Sequence, residues 1–369
     1  MVEKRAHLII DDNGSVLNSS GNINASLHPA SMTKMMTLYV AFEALRHGDI
    51  NLQEKIDVGR GRVATIDDAL KLAAIRSDNA AAAGIARHIS GTEGRFAELM
   101  TQTARSLGMT NTYFANASGL PPTQSGSENK EWNKSTPLDM TKLARALYEH
   151  YPTAFQHYFA RNSQDCEGRP IRGHNPVIGT SPCPGTVVIG GKTGFIRASG
   201  FNNIVVLRGR GGKAIFGVVF GADDPRSRDA FLQHALAQAA VSQNNNGGHT
   251  VTVPKRAGAN RGIGDYISSR GGGRPGAAVS GPRSDIPGAV PAGRGWRHSF
   301  NAAVLKGIDD IEAGHATVKE IRVVQQVLVD NGVNLGKTGR HHDGVDGDAR
   351  TLTMAGITQV KNRTPGPGT

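Results

Sequence analysis

Strand signals lie at both ends of the first 240 residues and helical periodicity fills the middle, so any sheet must be assembled from distant pieces of chain. At the amino end, apolar runs over 7–11 and 15–17 flank Asp12-Asn13-Gly14, a hairpin turn signal. From Ser31 to Arg46 the residues Met32, Met35, Met36, Tyr39, Phe42 and Leu45 recur at helical spacing. Further helical patterns fall at 66–76, 80–89, 93–107 and 137–149. Strand texture returns at 187–191, 204–207 and 214–220, the last two joined by a glycine- and arginine-rich hairpin loop, and a helix over 226–240 closes the region. The expectation is an α+β domain over 1–240: a sheet flanked by helices, with part of the helical middle forming its own lobe.

Beyond residue 240 the composition shifts. Residues 241–298 are glycine-rich, basic and poor in apolar side chains, which predicts a disordered linker. Val318, Ile321, Val324, Val327 and Leu328 then mark one face of a helix in a small helical module over 299–369. The net charge of +11 suits nucleic acid, anionic wall polymers or a membrane surface equally. The linker lacks the aromatic residues that stack bases, so nucleic acid is not the expected partner. Cys166 and Cys183 bracket a Gly/Pro-rich stretch and are either a short-loop disulfide or two free thiols; neither has metal-ligand spacing.

Three short motifs occur in order: Ser31-Met32-Thr33-Lys34, Ser77-Asp78-Asn79 and Lys192-Thr193-Gly194. A serine hydroxyl is a weak nucleophile without an adjacent base, and one helical turn places Lys34 beside Ser31. An amine serves as that base only if burial or neighbouring charge lowers its pKa. Ser77 would relay a proton to a leaving amine, and Asn79 would hydrogen-bond substrate backbone and Lys34. Lys192-Thr193-Gly194 follows the strand over 187–191, where an edge could pair with an extended peptide and Lys192 and Thr193 could meet a carboxylate. Two decoys exist: Ser127-Glu128-Asn129-Lys130 lies in a polar loop, and Lys337-Thr338-Gly339 follows a helix rather than a strand. His341-His342-Asp343 reads as a solvated loop rather than a metal site.

This trio is the signature of penicillin-binding proteins and class A β-lactamases, and residues 6–238 resemble the low-molecular-weight penicillin-binding proteins of the D-alanyl-D-alanine carboxypeptidase family. The likeness extends through His28-Pro29-Ala30, Phe96-Ala97-Glu98-Leu99-Met100, Leu107-Gly108-Met109, Gly119-Leu120-Pro121 and Ser135-Thr136-Pro137-Leu138-Asp139-Met140. It implies a penicillin-recognising fold, with an antiparallel sheet, covering helices and a helical lobe, and an acyl-enzyme on Ser31. It also implies removal of terminal D-alanine from peptidoglycan stem peptides, acylation by β-lactams, and no metal or organic cofactor. By position the oxyanion hole would use the N–H groups of Ser31 and Phe195, with Lys192, Thr193, Gly194, Phe195 and Arg228 as substrate-binding residues. Three departures stand out: a stretch between Ile56 and Ser77 that is shorter than usual, Ile196 where threonine is frequent, and Ser118 where histidine is frequent. The tail over 318–357 resembles a peptidoglycan-binding helical module, an alternative to a membrane anchor, of which there is no sign.

Rival readings are a DD-endopeptidase, which the sequence does not separate, and a β-lactamase, which needs a deacylating glutamate with asparagine four residues on. Glu128 and Glu131 lack that asparagine. A catalytically weak wall-binding scaffold is the alternative of another class; the intact Ser31, Lys34, Ser77, Asn79 and Lys192 argue against it. The apolar run over 8–10 is too short for a signal peptide. The substrate class nevertheless predicts a periplasmic or extracellular protein whose leader lies upstream of Met1.

Overall fold

A computed structural model of the chain describes residues 5–125, 130–209 and 212–242, together with 321, 324 and 325. Strands β1 (Ala6–Asp11) and β2 (Val16–Ser20) form the expected hairpin. Its turn is closed by the Ser15 N–H donating to Asp11 Oδ1 at 2.7 Å. A 3-10 turn, Ala30–Thr33, leads into α1 (Lys34–His47). Two short strands, β3 (Lys55–Asp57) and β4 (Val63–Thr65), precede α2 (Ile66–Ala74), α3 (Asn79–Ser90) and α4 (Glu93–Ser106). Then come α5 (Pro122–Ser125), α6 (Pro137–His150), α7 (Pro152–Tyr158) and the short strands β5 (Asn162–Gln164) and β6 (Pro170–Arg172). Long strands β7 (Val187–Ile196), β8 (Gly200–Arg208) and β9 (Ala214–Ala222) and helix α8 (Pro225–Ser242) complete the described elements.

The sheet joins the two ends of the domain as anticipated. Its order is β2-β1-β9-β8-β7 with antiparallel neighbours, and Ala6 pairs with Phe220 where the first strand meets the last. Side chains alternate across a strand, so Ile215, Gly217 and Val219 of β9 face α8, where Leu232, Ala235, Leu236 and Ala239 pack on Ile9 and Val205. The opposite face carries Phe216, whose ring meets Tyr148 of α6 at 5.8 Å. Helix starts follow side-chain chemistry: Thr65, Asp78, Thr92 and Thr136 each accept a backbone N–H at the cap.

Two expectations need correction. Helix α1 is not amphipathic; it is buried on every side from Lys34 to Leu45, so apolar spacing alone understated its burial. Its polar members are satisfied internally, Thr37 by the Ala117 carbonyl and Glu43 by the Tyr151 hydroxyl. The strand over 187–191 does not end before the third motif but continues through it to Ile196. Cys166 and Cys183 are free thiols, not a disulfide. The linker over 243–298, the decoy motifs at 127–129 and 337–339 and most of the tail lie outside the described residues. A second compact unit holds 45–51, 152–154 and 277–369, within which Ile321 and Val324 are helical and buried. Among the described residues no helix is long and apolar enough to cross a membrane.

Gly119 sits against the 3-10 turn with φ +84°, and a Cβ there would lie 1.9 Å from the Ala30 carbonyl oxygen. Gly91 has a similar φ of +76° but open space around it. Gly91→Ala should therefore cost only the left-handed backbone penalty, about 1–2 kcal/mol. Gly119→Ala adds a backbone clash and should cost about 4 kcal/mol or more. Paired thermal unfolding curves check this; equal shifts in Tm would remove the packing argument.

Candidate active site

The turn that carries Ser31 begins with strain. Pro29 and Ala30 lead into it, Ala30 with φ +50°, and the Met32 N–H closes it on the Pro29 carbonyl at 3.1 Å. Ser31 lies in this 3-10 turn, one turn ahead of α1, rather than in the α-helix that its spacing suggested. Residues three apart eclipse one another in a 3-10 turn, which stacks Lys34 under Ser31 and brings Nζ to 3.0 Å from Oγ.

Lys34 is fully buried, and its amine has two further neighbours: Asn79 Oδ1 at 2.7 Å and the Ser118 carbonyl oxygen at 2.6 Å. Both neighbours are acceptors only, so each takes an N–H. A neutral amine has two N–H bonds and one lone pair; with both N–H groups engaged, the lone pair faces Ser31 Oγ. Burial favours this neutral form and holds the pKa well below the usual lysine value, with the nearby Lys192 charge adding to the effect. Asp78 and Glu93 pull weakly the other way.

The second motif divides its labour by residue. Asp78 is the helix cap, accepting the N–H groups of Ala80 and Ala81, and is held from outside by Arg62 at 3.0 Å. Burial opposes its ionisation, but the Ala81 N–H and the Arg62 guanidinium outweigh this and keep the carboxyl below its ordinary range. With Asp78 as cap, Asn79 turns to Lys34 and Ser77, at φ +60°, turns to Lys192. A capping role and a cleft role thus coexist in one tripeptide.

Lys192 Nζ donates to Ser77 Oγ at 2.8 Å and to its neighbour's carbonyl, Thr193 O, at 3.0 Å. Burial, then the Arg228 charge, lower its pKa to about 7. Strand β7 is the sheet edge, so the third motif lies on an open strand. Gly194 has a positional requirement: a Cβ there would lie 2.5 Å from the Pro29 carbonyl and 3.2 Å from Ser31 N. The lack of a Cβ lets β7 close on the Ser31 turn and sets residue 194 beside the Ser31 N–H. The Phe195 side chain is half exposed and stacks on Phe201 at 4.2 Å. Arg228 is buried, forms a two-point pair with Asp229 at 2.8 and 2.9 Å, and depresses the pKa values of Lys192 and His174 from behind the strand. Of the anticipated site residues, Ser31, Lys34 and Asn79 are hydrogen-bonded together, as are Ser77 and Lys192, and Gly194 packs on the Ser31 turn, whereas Arg228 acts on Lys192 only through its charge.

Two contributors have no motif to announce them. Ser118 serves through its backbone carbonyl, which no side-chain pattern encodes. The loop that carries it is fixed by Asn116 Oδ1, which accepts the N–H groups of Ser118 and Gly119, by Glu93 on the Ala117 N–H, and by Thr37 on the Ala117 carbonyl. The Ser118 hydroxyl donates to Asn116, so serine in place of the frequent histidine is a loop tie. His174 lies 3.2 Å from Thr193 Oγ1, and burial together with Lys192, Arg228 and Lys34 lowers its pKa. Among the described residues no three metal-ligating side chains gather at one point.

Comparison with known proteins agrees with this geometry. The D-alanyl-D-alanine carboxypeptidase family profile matches residues 1–69 and 60–224, through all three motifs. D-alanyl-D-alanine carboxypeptidase DacF of Bacillus subtilis is 30% identical over 252 residues, covering 63% of this chain and 61% of that protein. DacC of Escherichia coli, of the same description, is 30% identical over 249 residues, covering 62% and 58%. The chain thus spans about three fifths of the length of these relatives. Among solved structures, penicillin-binding protein D2 of Listeria monocytogenes, in its cefotaxime-bound form, superposes with a TM-score of 0.57 at 24% identity. That match covers 63% of this chain and 96% of the other, and establishes the shared fold. A profile that runs through well over half of the sequence decides the matter of kinship: this chain belongs to the D-alanyl-D-alanine carboxypeptidase family.

Proposed function

We propose that the protein is a serine-type D-alanyl-D-alanine carboxypeptidase that removes terminal D-alanine from peptidoglycan stem peptides and is acylated by β-lactams. The observation that carries this reading is the buried Lys34 amine, 3.0 Å from Ser31 Oγ, with the neutral oxygens of Asn79 and Ser118 at 2.7 and 2.6 Å. Ser31 Oγ attacks the penultimate carbonyl carbon while its proton passes to Lys34 Nζ. The N–H groups of Ser31 and Phe195 hold the oxyanion, a role supported by the close approach that Gly194 permits. Collapse breaks the C–N bond, and Ser77 hands a proton to the departing D-alanine amine. Lys34 gives the proton it took from Ser31 back to Ser77 and is neutral again, while Lys192, hydrogen-bonded to Ser77, stays charged and meets the terminal carboxylate alongside Thr193. Water then attacks the acyl-enzyme with Lys34 again as base, releasing the shortened peptide and free Ser31. Such a substrate is found outside the cytoplasmic membrane, where the protein would act, in the periplasm or beyond the cell.

The test uses the full chain and Ser31→Ala with a labelled β-lactam and with diacetyl-L-Lys-D-Ala-D-Ala. The unsubstituted protein should retain label and release D-alanine; Ser31→Ala should do neither, with a loss of at least about a thousandfold. Neither label nor release from the unsubstituted chain would refute the proposal. Rapid label turnover would identify a β-lactamase, and cleavage of cross-linked dimers in preference to free D-Ala-D-Ala ends an endopeptidase.

Its pH dependence follows from the two buried lysines. Lys34 must be neutral, so kcat/KM rises as pH climbs through its lowered pKa. Lys192 must be charged, so kcat/KM falls as pH climbs past about 7. Lys192→Arg keeps a charge at every accessible pH, so the falling limb should move up by more than about one pH unit. A falling limb unchanged in Lys192→Arg would assign that limb to another group.

A further inference from the structure

A groove of about 610 Å³ opens between the β3–β4 ribbon, the carboxyl end of α2 and the β5–β6 ribbon. That volume falls within the range of ligand sites. It adjoins the second motif: Arg76 lines it and is followed in the chain by Ser77, and Arg62 lines it and holds Asp78 at 3.0 Å. Its charges are unevenly committed. Asp165 and Glu167 are both paired with Arg169, at 2.7 and 3.0 Å, inside one tight turn. Asp68 accepts the Cys166 N–H and faces Lys71. Arg62 is spent on Asp78. Two cations, Lys55 and Arg76, are exposed and have no partner among the described residues. Between them Val58, Leu72 and Ile171 supply apolar wall, and Val63 is 65% exposed at the rim.

Two further observations bear on why the groove is open. The family profile matches in two pieces that overlap on residues 60–69, where β4 meets α2. The alignment with the Bacillus subtilis relative runs over 252 positions, more than the 63% of this chain it covers, so the relative carries residues within the matched span that this chain lacks. The overlap of the two matched pieces falls on the wall of the groove.

We propose that this groove is a second subsite, which takes the acidic, carboxylate-bearing part of a stem peptide upstream of its D-Ala-D-Ala end. This rests on the carboxypeptidase reading and deepens it: Lys55 and Arg76 meet a free carboxylate, and the apolar wall takes the aliphatic stems between carboxylate and scissile bond. Peptides that carry an α-carboxylate on a γ-linked D-glutamate bind better than the same peptides with that group amidated.

The experiment measures equilibrium binding to the full chain carrying Ser31→Ala, which cannot turn the peptide over. The probes are L-Ala-γ-D-Glu-L-Lys-D-Ala-D-Ala and its D-isoglutamine counterpart, identical except for one charge. The carboxylate form should bind about tenfold more tightly at low salt, with the ratio shrinking as salt rises. Adding Lys55→Gln and Arg76→Gln, both at exposed positions, should bring the ratio to about one. A ratio of one before those substitutions, a ratio unchanged by them, or no binding of either peptide overturns the subsite. Release of D-alanine from the short diacetyl tripeptide, which does not reach the groove, reports separately on the carboxypeptidase reading.

Discussion

Everything in the cleft depends on a lysine amine kept out of water. A buried ammonium would need compensating charge, and at Lys34 the neighbours are an amide oxygen and a carbonyl oxygen rather than carboxylates. Asp78 and Glu93 lie near enough to be felt but do not hydrogen-bond to it. The protein thus satisfies the geometry of an amine without stabilising its charge. This distinguishes a base from a structural ion pair, because a carboxylate in contact would raise the pKa and take away the lone pair.

That arrangement imposes demands on distant parts of the chain. The Ser118 carbonyl must be presented at 2.6 Å, so the 116–119 loop is tied by its own Asn116, by Glu93 of α4 and by Thr37 of α1. Burial pushes the Glu93 carboxyl upward while the Ala117 N–H steadies its charged form. Lys192 repeats the theme on the opposite wall, where burial and Arg228 bring it to about 7. Two amines near one another, each shifted by burial and the first also by the second, place opposite protonation states within reach at neutral pH. One strand edge and one 3-10 turn bring them together, and Gly119 and Gly194 allow the backbones to approach.

Much of this was legible in the sequence because it rests on side chains at fixed offsets. The Ser31 and Lys34 spacing, the cap-forming Ser77-Asp78-Asn79 and the strand before Lys192 all carry local signals. The β2-β1-β9-β8-β7 sheet was legible in outline because strand patterns flank a helical middle. Other features had no such signal. The 3-10 turn differs from an α-helix by the strain at Ala30, which no residue type announces. The all-round burial of α1 depends on what surrounds it, since its alanines, threonines and glutamate look compatible with a solvent face. The Ser118 carbonyl is a backbone group, and His174 reaches Thr193 only because the chain folds back from β6 to β7. Short strands such as β3 and β4 are set by pairing with one another rather than by three-residue propensity.

The shortened stretch before Ser77 raised the question whether the motifs could still meet, and the hydrogen bonds give a physical reason why they do. Ser77 is positioned by the α2–α3 junction, where the Asp78 N–H bonds to the Leu72 carbonyl at 3.0 Å and Asp78 caps α3. None of these bonds involves residues 56–65. The β3–β4 ribbon is tied to the helices separately, through the Thr65 cap on α2, Arg87 of α3 on the Asp57 carbonyl and Arg62 on Asp78 at 3.0 Å. Beside this junction lies the groove, where Lys55 and Arg76 are exposed. The contacts that place Ser77 thus come from the α2–α3 junction itself, while the ribbon shapes the surface beside it.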